Sequence, residues 1–145
     1  MFRGCYPARV DEKGRLKIPV DFKREIDERY GSGKFYITSL NNGGNAEIFP
    51  MKEWEAVEAA ASSKPTTDPA TRKFFDHTNY WGQEVEMDAQ GRVLLPARVR
   101  EKAGLDGAVE VAGGRQSLKV RNAERYEQEV QQQPLTDDDL SKLGF

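Results

Sequence analysis

The stretch VDEKGRLKIP, residues 10–19, returns later in the chain as MDAQGRVLLP, residues 87–96. Its glycine is Gly14 in the first copy and Gly91 in the second, 77 residues apart, which is about half of the 145-residue chain. Self-similarity at this spacing indicates an internal duplication. A chain of this length can bury one compact core, whereas either half alone is too small to do so easily. The two copies are therefore expected to complete one fold together.

Each copy places a polar turn between short alternating segments. Leu16 and Ile18 alternate with basic residues after the first turn, and Val85 and Met87 alternate with glutamates before the second. Alternation with a period of two predicts half-buried strands, and therefore a hairpin in each copy. The turns DEKG and DAQG suit a hairpin, because Asp can bond the following backbone and Gly can take a positive φ. Four residues are thus predicted to shape the turns: Asp11, Gly14, Asp88 and Gly91.

The segments around the repeats predict helices and further strands. A proline, Pro19 or Pro96, ends each copy and suits the start of a helix. The helical apolar spacing of Phe22, Ile26 and Tyr30 recurs as Val99 and Ala103 before Gly104. Further strands are predicted at 35–40, 46–49, 109–112 and 117–120. Asp68-Pro69 predicts a connecting helix to about residue 79, and Thr136 followed by Asp139 predicts a short capped helix at the end.

These elements predict an α+β protein made of two similar modules. We expect the first module over residues 1–61, a linker and connecting helix over 62–82, the second module over 83–133 and a C-terminal tail over 134–145. The chain contains no run of 18 apolar residues, and its first residues lack the apolar stretch of a signal peptide. We therefore expect a soluble intracellular protein with no membrane partner.

Charge is unevenly distributed along the chain, although the formal net charge is only −2. Residues 3–24 carry seven basic and three acidic groups, and residues 92–102 carry four basic and one acidic group. Residues 124–145 carry six acidic and two basic groups. The acidic end thus masks two basic segments, and both of these adjoin the repeated motif.

Arg15 and Arg92 follow the turns directly and are not required by turn chemistry. A guanidinium at the mouth of a hairpin can bind phosphate or lie bidentate on guanine, and a two-stranded ribbon fits the major groove. The alternative is that each arginine pairs with the Asp of its own turn or covers the neighbouring strand. Two basic turns within locally positive segments favour a polyanionic ligand.

The sequence gives little indication of a catalytic site or a metal site. Asp11 and Asp88 form a pseudo-symmetric pair, but a carboxylate dyad must be buried and close together, whereas these occupy polar turns. His77 has no second ligand for a metal and no serine motif beside it. Cys5 has no partner for a disulfide and is expected to be a buried or half-buried apolar residue. We expect no enzymatic activity, no cofactor and no metal.

The segments MFRG, DEKGRLKIP, DAQGRVLLP and REKAGL, the last at residues 100–105, together resemble the MraZ family. The resemblance implies two tandem AbrB-like swapped-hairpin β modules that form a pseudo-symmetric, barrel-like unit with peripheral helices. It also implies a DNA-binding transcriptional regulator, cytoplasmic and associated with the nucleoid, which assembles as a homo-oligomeric ring. Its partner would be double-stranded DNA, at tandem repeats in the promoter of the division and cell-wall gene cluster.

Carried over by position, the DNA-binding residues implied by this resemblance are Arg15 and Arg92, with Lys13 assisting at the first turn. The second motif departs from the first, since Gln90 stands where a lysine would match Lys13. We therefore expect two unequal DNA-reading turns. The alternative function is a protein-interaction scaffold that assembles as a ring without direct DNA readout.

Overall fold

The computed structural model describes residues 1–31, 33–65 and 67–145. Ser32 and Thr66, the latter within the predicted linker, lie outside the described residues. The strands are β1 (Cys5–Val10), β2 (Arg15–Lys17), β3 (Lys34–Thr38), β4 (Ala46–Pro50), β5 (Gln83–Glu86), β6 (Arg92–Leu94), β7 (Gly107–Gly113) and β8 (Leu118–Asn122). The helices are α1 (Val20–Arg29), α2 (Met51–Ser62), α3 (Pro69–Trp81), α4 (Ala97–Ala103), α5 (Ala123–Gln132) and α6 (Asp137–Lys142). The predicted α+β class is confirmed.

The strands of the described residues form one antiparallel sheet in the order β5-β3-β4-β8-β7-β1-β2-β6. The two end strands, β5 and β6, are joined by the second turn, where the Asp88 amide donates to the Arg92 carbonyl at 2.9 Å. The sheet therefore almost closes on itself as a barrel. Near-closure leaves little unpaired strand edge, which is the part of a sheet most prone to aggregation.

Strand pairing exchanges between the two halves. Strand β1 of the first half pairs with β7 of the second half, from Cys5 opposite Ala112 to Val10 opposite Gly107. Equivalently, β5 of the second half pairs with β3 of the first half, from Gln83 opposite Ile37 to Glu86 opposite Lys34. Each half thus supplies a strand that pairs with a strand of the other half. This exchange agrees with the expected swapped-hairpin arrangement. The division into 1–61, 62–82, 83–133 and 134–145 stays a prediction.

The simple hairpins predicted on either side of the turns are only partly present. β1 and β2 share a single residue pair, Val10 with Leu16. Beyond that pair the strands diverge, because β2 pairs instead with β6 of the other half. The swap arises because β2 pairs mainly with β6 of the other repeat and not with β1, its neighbour in sequence.

The core lies inside the barrel, where the alternation of the two motifs directs their apolar residues. Leu16 and Ile18 of the first copy and Val93 and Leu95 of the second are 0–1% exposed. Full burial of one such side chain contributes about 1.5–3 kcal/mol relative to exposure. Both repeats therefore stabilise one shared core rather than two separate ones.

The helices after the motifs form as the apolar spacing predicts. Phe22 and Ile26 of α1 are buried, as are Val99 and Ala103 of α4. Each helix is preceded by a proline whose carbonyl accepts the first helical hydrogen bond, from Lys23 after Pro19 and from Arg100 after Pro96. The prolines thus stand just before the helices, at the N-cap position.

The remaining helix predictions are also confirmed. Asp68 caps α3 by accepting from the Ala70 amide at 2.8 Å, and the helix continues to Trp81, two residues past the predicted end. Thr136 and Asp139 form the capping box of α6. The expectation for Cys5 is wrong: its side chain is exposed. Residues alternate along β1 between barrel interior and exterior, and Cys5 falls outside, where its thiol donates to Glu110 Oε2 at 3.4 Å.

Each turn glycine lies against a basic side chain of a helix in the other half. Gly14 has a φ of +82° and Gly91 a φ of +77°. A Cβ at Gly14 would overlap the guanidinium of Arg100, and a Cβ at Gly91 would lie 3.2 Å from Lys23 Cδ. Arg100 Nη1 also donates to the Leu95 carbonyl at 3.1 Å. The first turn is therefore packed against α4 and requires glycine for both conformation and space.

Gly14→Ala is expected to lower the free energy of unfolding by about 2–3 kcal/mol. Alanine would have to hold a left-handed conformation, at a cost of roughly 1–2 kcal/mol. It would also displace Arg100 from Leu95, which removes a hydrogen bond contributing about 1 kcal/mol. Urea unfolding followed by circular dichroism measures the loss.

Gly31→Ala is the matched control for this substitution. Its φ is +61°, but a Cβ there would meet nothing within 4 Å. Only the conformational cost of roughly 1–2 kcal/mol should remain. Equal losses of stability in the two variants would contradict a packing role for Gly14 against Arg100.

Candidate nucleic-acid interface

The two turns have the same hydrogen-bonding pattern around their aspartates. Asp11 Oδ1 accepts from the amides of Lys13 and Arg15 at 3.0 and 2.9 Å. In the second turn, Asp88 Oδ1 accepts from the amides of Gln90 and Arg92, both at 2.9 Å. Each turn is closed by a glycine amide that donates to the aspartate carbonyl. One carboxylate oxygen of each aspartate therefore organises the backbone of its turn.

The second carboxylate oxygen binds the arginine that follows. Arg15 Nε donates to Asp11 Oδ2 at 2.8 Å, and Arg92 Nε donates to Asp88 Oδ2 at 2.8 Å. The pairing that we considered as an alternative explanation for the arginines is thus present. It engages only Nε, and the side chains of Arg15 and Arg92 remain 32% and 28% exposed. Each aspartate fixes the orientation of its guanidinium through Nε and does not itself engage the Nη atoms.

The Nη atoms differ between the two motifs. Arg92 Nη2 donates to Gln90 Oε1 at 3.0 Å. Within the described part of the chain, neither Nη atom of Arg15 has a hydrogen-bond partner. Lys13 is exposed at the first turn. Gln90 therefore removes a charge from the second turn and also occupies one donor of its arginine.

The turn aspartates are held in their charged form. The hydrogen bond from the Arg15 amide is the main influence that lowers the pKa of Asp11, and its guanidinium acts in the same direction. The Arg92 amide and guanidinium likewise lower the pKa of Asp88. A general acid would need a raised carboxyl pKa. These carboxylates are thus suited to anchoring arginine and poorly suited to acid–base chemistry.

The two motifs are joined directly to each other. The Ile18 amide donates to the Gly91 carbonyl and the Leu95 amide donates to the Gly14 carbonyl, both at 2.9 Å. Between these bonds, β2 and β6 pair with Leu16 opposite Val93. These hydrogen bonds hold the two turns in one two-stranded ladder.

The outward face of this ladder carries the predicted arginines. Leu16 and Val93 point inward and are buried, so Arg15 and Lys17 on β2 and Arg92 and Leu94 on β6 share the opposite face. In the register, Arg15 lies opposite Leu94 and Lys17 lies opposite Arg92. The structure therefore brings Arg15 and Arg92 to one surface, together with Lys17, which motif comparison did not single out.

Aromatic residues of α2 and α3 pack against one another and against β3. Trp54 is buried and stacks on Tyr36 at 4.6 Å between ring centroids and on Phe74 at 6.2 Å. Phe74 in turn contacts Phe75 at 5.3 Å. This cluster packs α2 and α3 onto the sheet. Trp54 therefore serves packing.

Residues 1–31, 33–65 and 67–145 contain no group of three or more His, Cys, Asp or Glu side chains that could hold a metal ion. None of the helices in that part of the chain is both long enough and apolar enough to span a bilayer.

Comparison with known proteins identifies the family. Residues 1–77 and 82–143 match the family described as "MraZ protein, putative antitoxin-like". The transcriptional regulator MraZ of Acidobacterium capsulatum is 55% identical over 144 residues, which cover 99% of this chain and 97% of that protein. The transcriptional regulator MraZ of Koribacter versatilis is 48% identical over 148 residues, with 100% of both chains covered.

A more distant relative has the same name. The transcriptional regulator MraZ of Solidesulfovibrio magneticus is 36% identical over 132 residues, which cover 91% of this chain and 86% of that protein. The family match extends across both repeats and most of α3. The chain therefore belongs to the MraZ family.

Proposed function

We propose that this protein is a sequence-specific transcriptional regulator that binds double-stranded DNA through the outward face of the β2–β6 ladder. The observation that carries the proposal is the pair of arginines, Arg15 and Arg92, each oriented by an aspartate on that one face. The names of the relatives, all transcriptional regulators, support it. We further propose that its target is a set of tandem repeats in the promoter of the division and cell-wall gene cluster.

The aspartate–arginine pairs suggest how bases would be read. With Nε engaged by Asp11, the two Nη atoms of Arg15 remain as an end-on fork, which can bind guanine O6 and N7 in the major groove. Because the guanidinium is already oriented, less side-chain entropy is lost on binding. Lys13, exposed at the tip of the first turn, would bind a phosphate and contribute affinity without sequence preference.

The proposed regulator uses no cofactor and catalyses no reaction. The lowered pKa values of Asp11 and Asp88 make these carboxylates poor general acids and weak bases, which supports the absence of acid–base catalysis. We propose a cytoplasmic, nucleoid-associated protein, in keeping with a DNA ligand.

We also propose that the protein acts as a homo-oligomeric ring. Several large apolar side chains support a further protein contact, because they are 70–88% exposed near the end of the chain. They are Leu135, Leu143 and Phe145. A ring would place several ladders on successive repeats, so that each additional site binds at a high effective concentration.

Arg15→Ala is expected to weaken binding to the promoter fragment by about 1–3 kcal/mol, roughly 5- to 150-fold in Kd, because a bidentate base contact is lost. Arg92→Ala should weaken binding by less, because Gln90 already occupies one Nη donor of Arg92. Fluorescence anisotropy with labelled duplex measures the affinity, and wild-type binding should fall steeply with salt.

Arg72→Ala is the matched control, because Arg72 is an exposed arginine of α3, outside the ladder. It should bind DNA as the wild type does. Promoter binding by Arg15→Ala at wild-type affinity would refute the proposed reading. A wild-type protein that shifts no promoter at any salt, yet binds an acidic protein partner, would favour the scaffold function instead.

A fragment with the tandem repeats is expected to bind at least tenfold more tightly than one cut to a single repeat, since linked sites gain avidity without new contacts. Light scattering of the unbound protein should give a mass that is a multiple of the 16.4 kDa chain. A monomeric mass together with equal affinity for both fragments would contradict the proposed ring.

A further inference from the structure

Lys17 occupies a position on the ladder that the comparison of motifs does not explain. It lies directly opposite Arg92 in the β2–β6 register. Residues opposite each other in an antiparallel pair have Cβ atoms about 4.5–5.5 Å apart. Two cationic side chains therefore face one another on the outward surface of the ladder.

Such a pair is unfavourable for the sheet unless an anion lies nearby, because like charges directly opposite each other destabilise a ladder. Arg92 is partly neutralised by Asp88, which binds its Nε. Lys17 is exposed, and its ammonium makes no hydrogen bond or ion pair within the residues that the structure describes. Folding alone thus gives no reason for a cation at this position.

The second repeat shows that the fold accepts an uncharged residue there. The position equivalent to Lys17 is Leu94, which lies opposite Arg15 and is 45% exposed. A leucine at the matching site of the ladder leaves the strand paired and the core closed. The lysine is therefore dispensable for the architecture of the ladder.

Lys17 lies across the ladder from the motif whose turn lacks a lysine. Arg15 has Lys13 beside it in its own turn, whereas Arg92 has Gln90 at the equivalent place. Lys17, contributed by the first repeat across the ladder, gives Arg92 a neighbouring cation as well. Arg92 then has a neighbouring lysine, as Arg15 has Lys13, although both lysines come from the first repeat.

We infer that Lys17 binds a DNA phosphate beside the base read by Arg92, and so supplies across the ladder the cation that Gln90 does not provide. The inference rests on the proposed DNA-binding function. Lysine suits this task because its ammonium is a compact charge on a flexible stem, which meets a phosphate as a point charge. The two DNA-reading turns would then be closer in affinity than their sequences predict.

Lys17→Leu, which copies the residue found at Leu94, tests the inference. For each protomer bound to the duplex, removing one phosphate contact should reduce the slope of log K against log salt by about 0.9 and weaken binding about fivefold at about 0.15 M salt. The probe is the duplex promoter fragment, titrated by fluorescence anisotropy between about 0.05 and 0.2 M salt. Lys17→Arg keeps the charge and should keep the slope.

Leu94→Lys provides the reciprocal test, since it adds the missing cation opposite Arg15. It should raise the salt slope by about 0.9 for each bound protomer. Lys52→Leu is the control for general loss of charge, because Lys52 lies on α2, which packs on β3 and β4. It should leave the slope within about 0.3 of the wild-type value. Thermal unfolding of each variant shows whether the fold is retained.

The outcomes separate this inference from the proposed function. If Arg15→Ala weakens binding but Lys17→Leu retains the wild-type slope, the role of Lys17 is overturned and DNA binding stands. If the wild-type protein does not bind the duplex at low salt, both fail together. A reduced slope in Lys17→Leu with an unchanged slope in Lys52→Leu supports the inference.

Discussion

Two hydrogen bonds between the repeats hold the two motifs in one ladder, and the shared core and the proposed binding surface both depend on that ladder. The carbonyls of Gly14 and Gly91 accept from the Leu95 and Ile18 amides of the opposite motif. These bonds bracket the β2–β6 ladder and bring the two turns side by side. They direct Leu16 and Val93 into the shared core. The same geometry leaves the arginines on the outward face, so folding and the proposed binding surface have one origin.

The two carboxylate oxygens of each turn aspartate have different roles. Oδ1 of Asp11 holds the turn backbone, while Oδ2 holds Arg15 by Nε. From the sequence, pairing with aspartate and binding to DNA stood as competing explanations for the arginine. The geometry makes them compatible, because the paired guanidinium keeps its Nη end free. An ion pair this exposed contributes little to stability, so orientation is its more important consequence.

Local features of the fold could be predicted from the sequence, and long-range ones could not. The helix starts at Pro19, Asp68 and Thr136 follow from nearby residues, since caps and prolines act within one turn. Strand partners depend on residues far along the chain, so the hairpins expected around the turns proved to be a single residue pair before β2 turns to β6. Cys5 was misjudged because composition does not give the phase of a strand.

The candidate site divides in the same way. Arg15 and Arg92 could be selected from the repeated motif, because turn chemistry left them unexplained. Lys17 could not be linked to Arg92, since they become neighbours only through the ladder between the repeats. The positive charge of the proposed surface therefore comes from residues of both motifs. A count of the charged residues in the second motif alone underestimates the positive charge around its turn.

Amide hydrogen exchange at Ile18 and Leu95 tests the central claim most directly, because these amides form the bonds that join the repeats. Both are expected to exchange only on global unfolding, with the same protection as the amides of the β3–β4 ladder. Exchange of both at the rate of an open turn, while the β3–β4 amides stay protected, would contradict the claim that these bonds hold the two motifs as one unit.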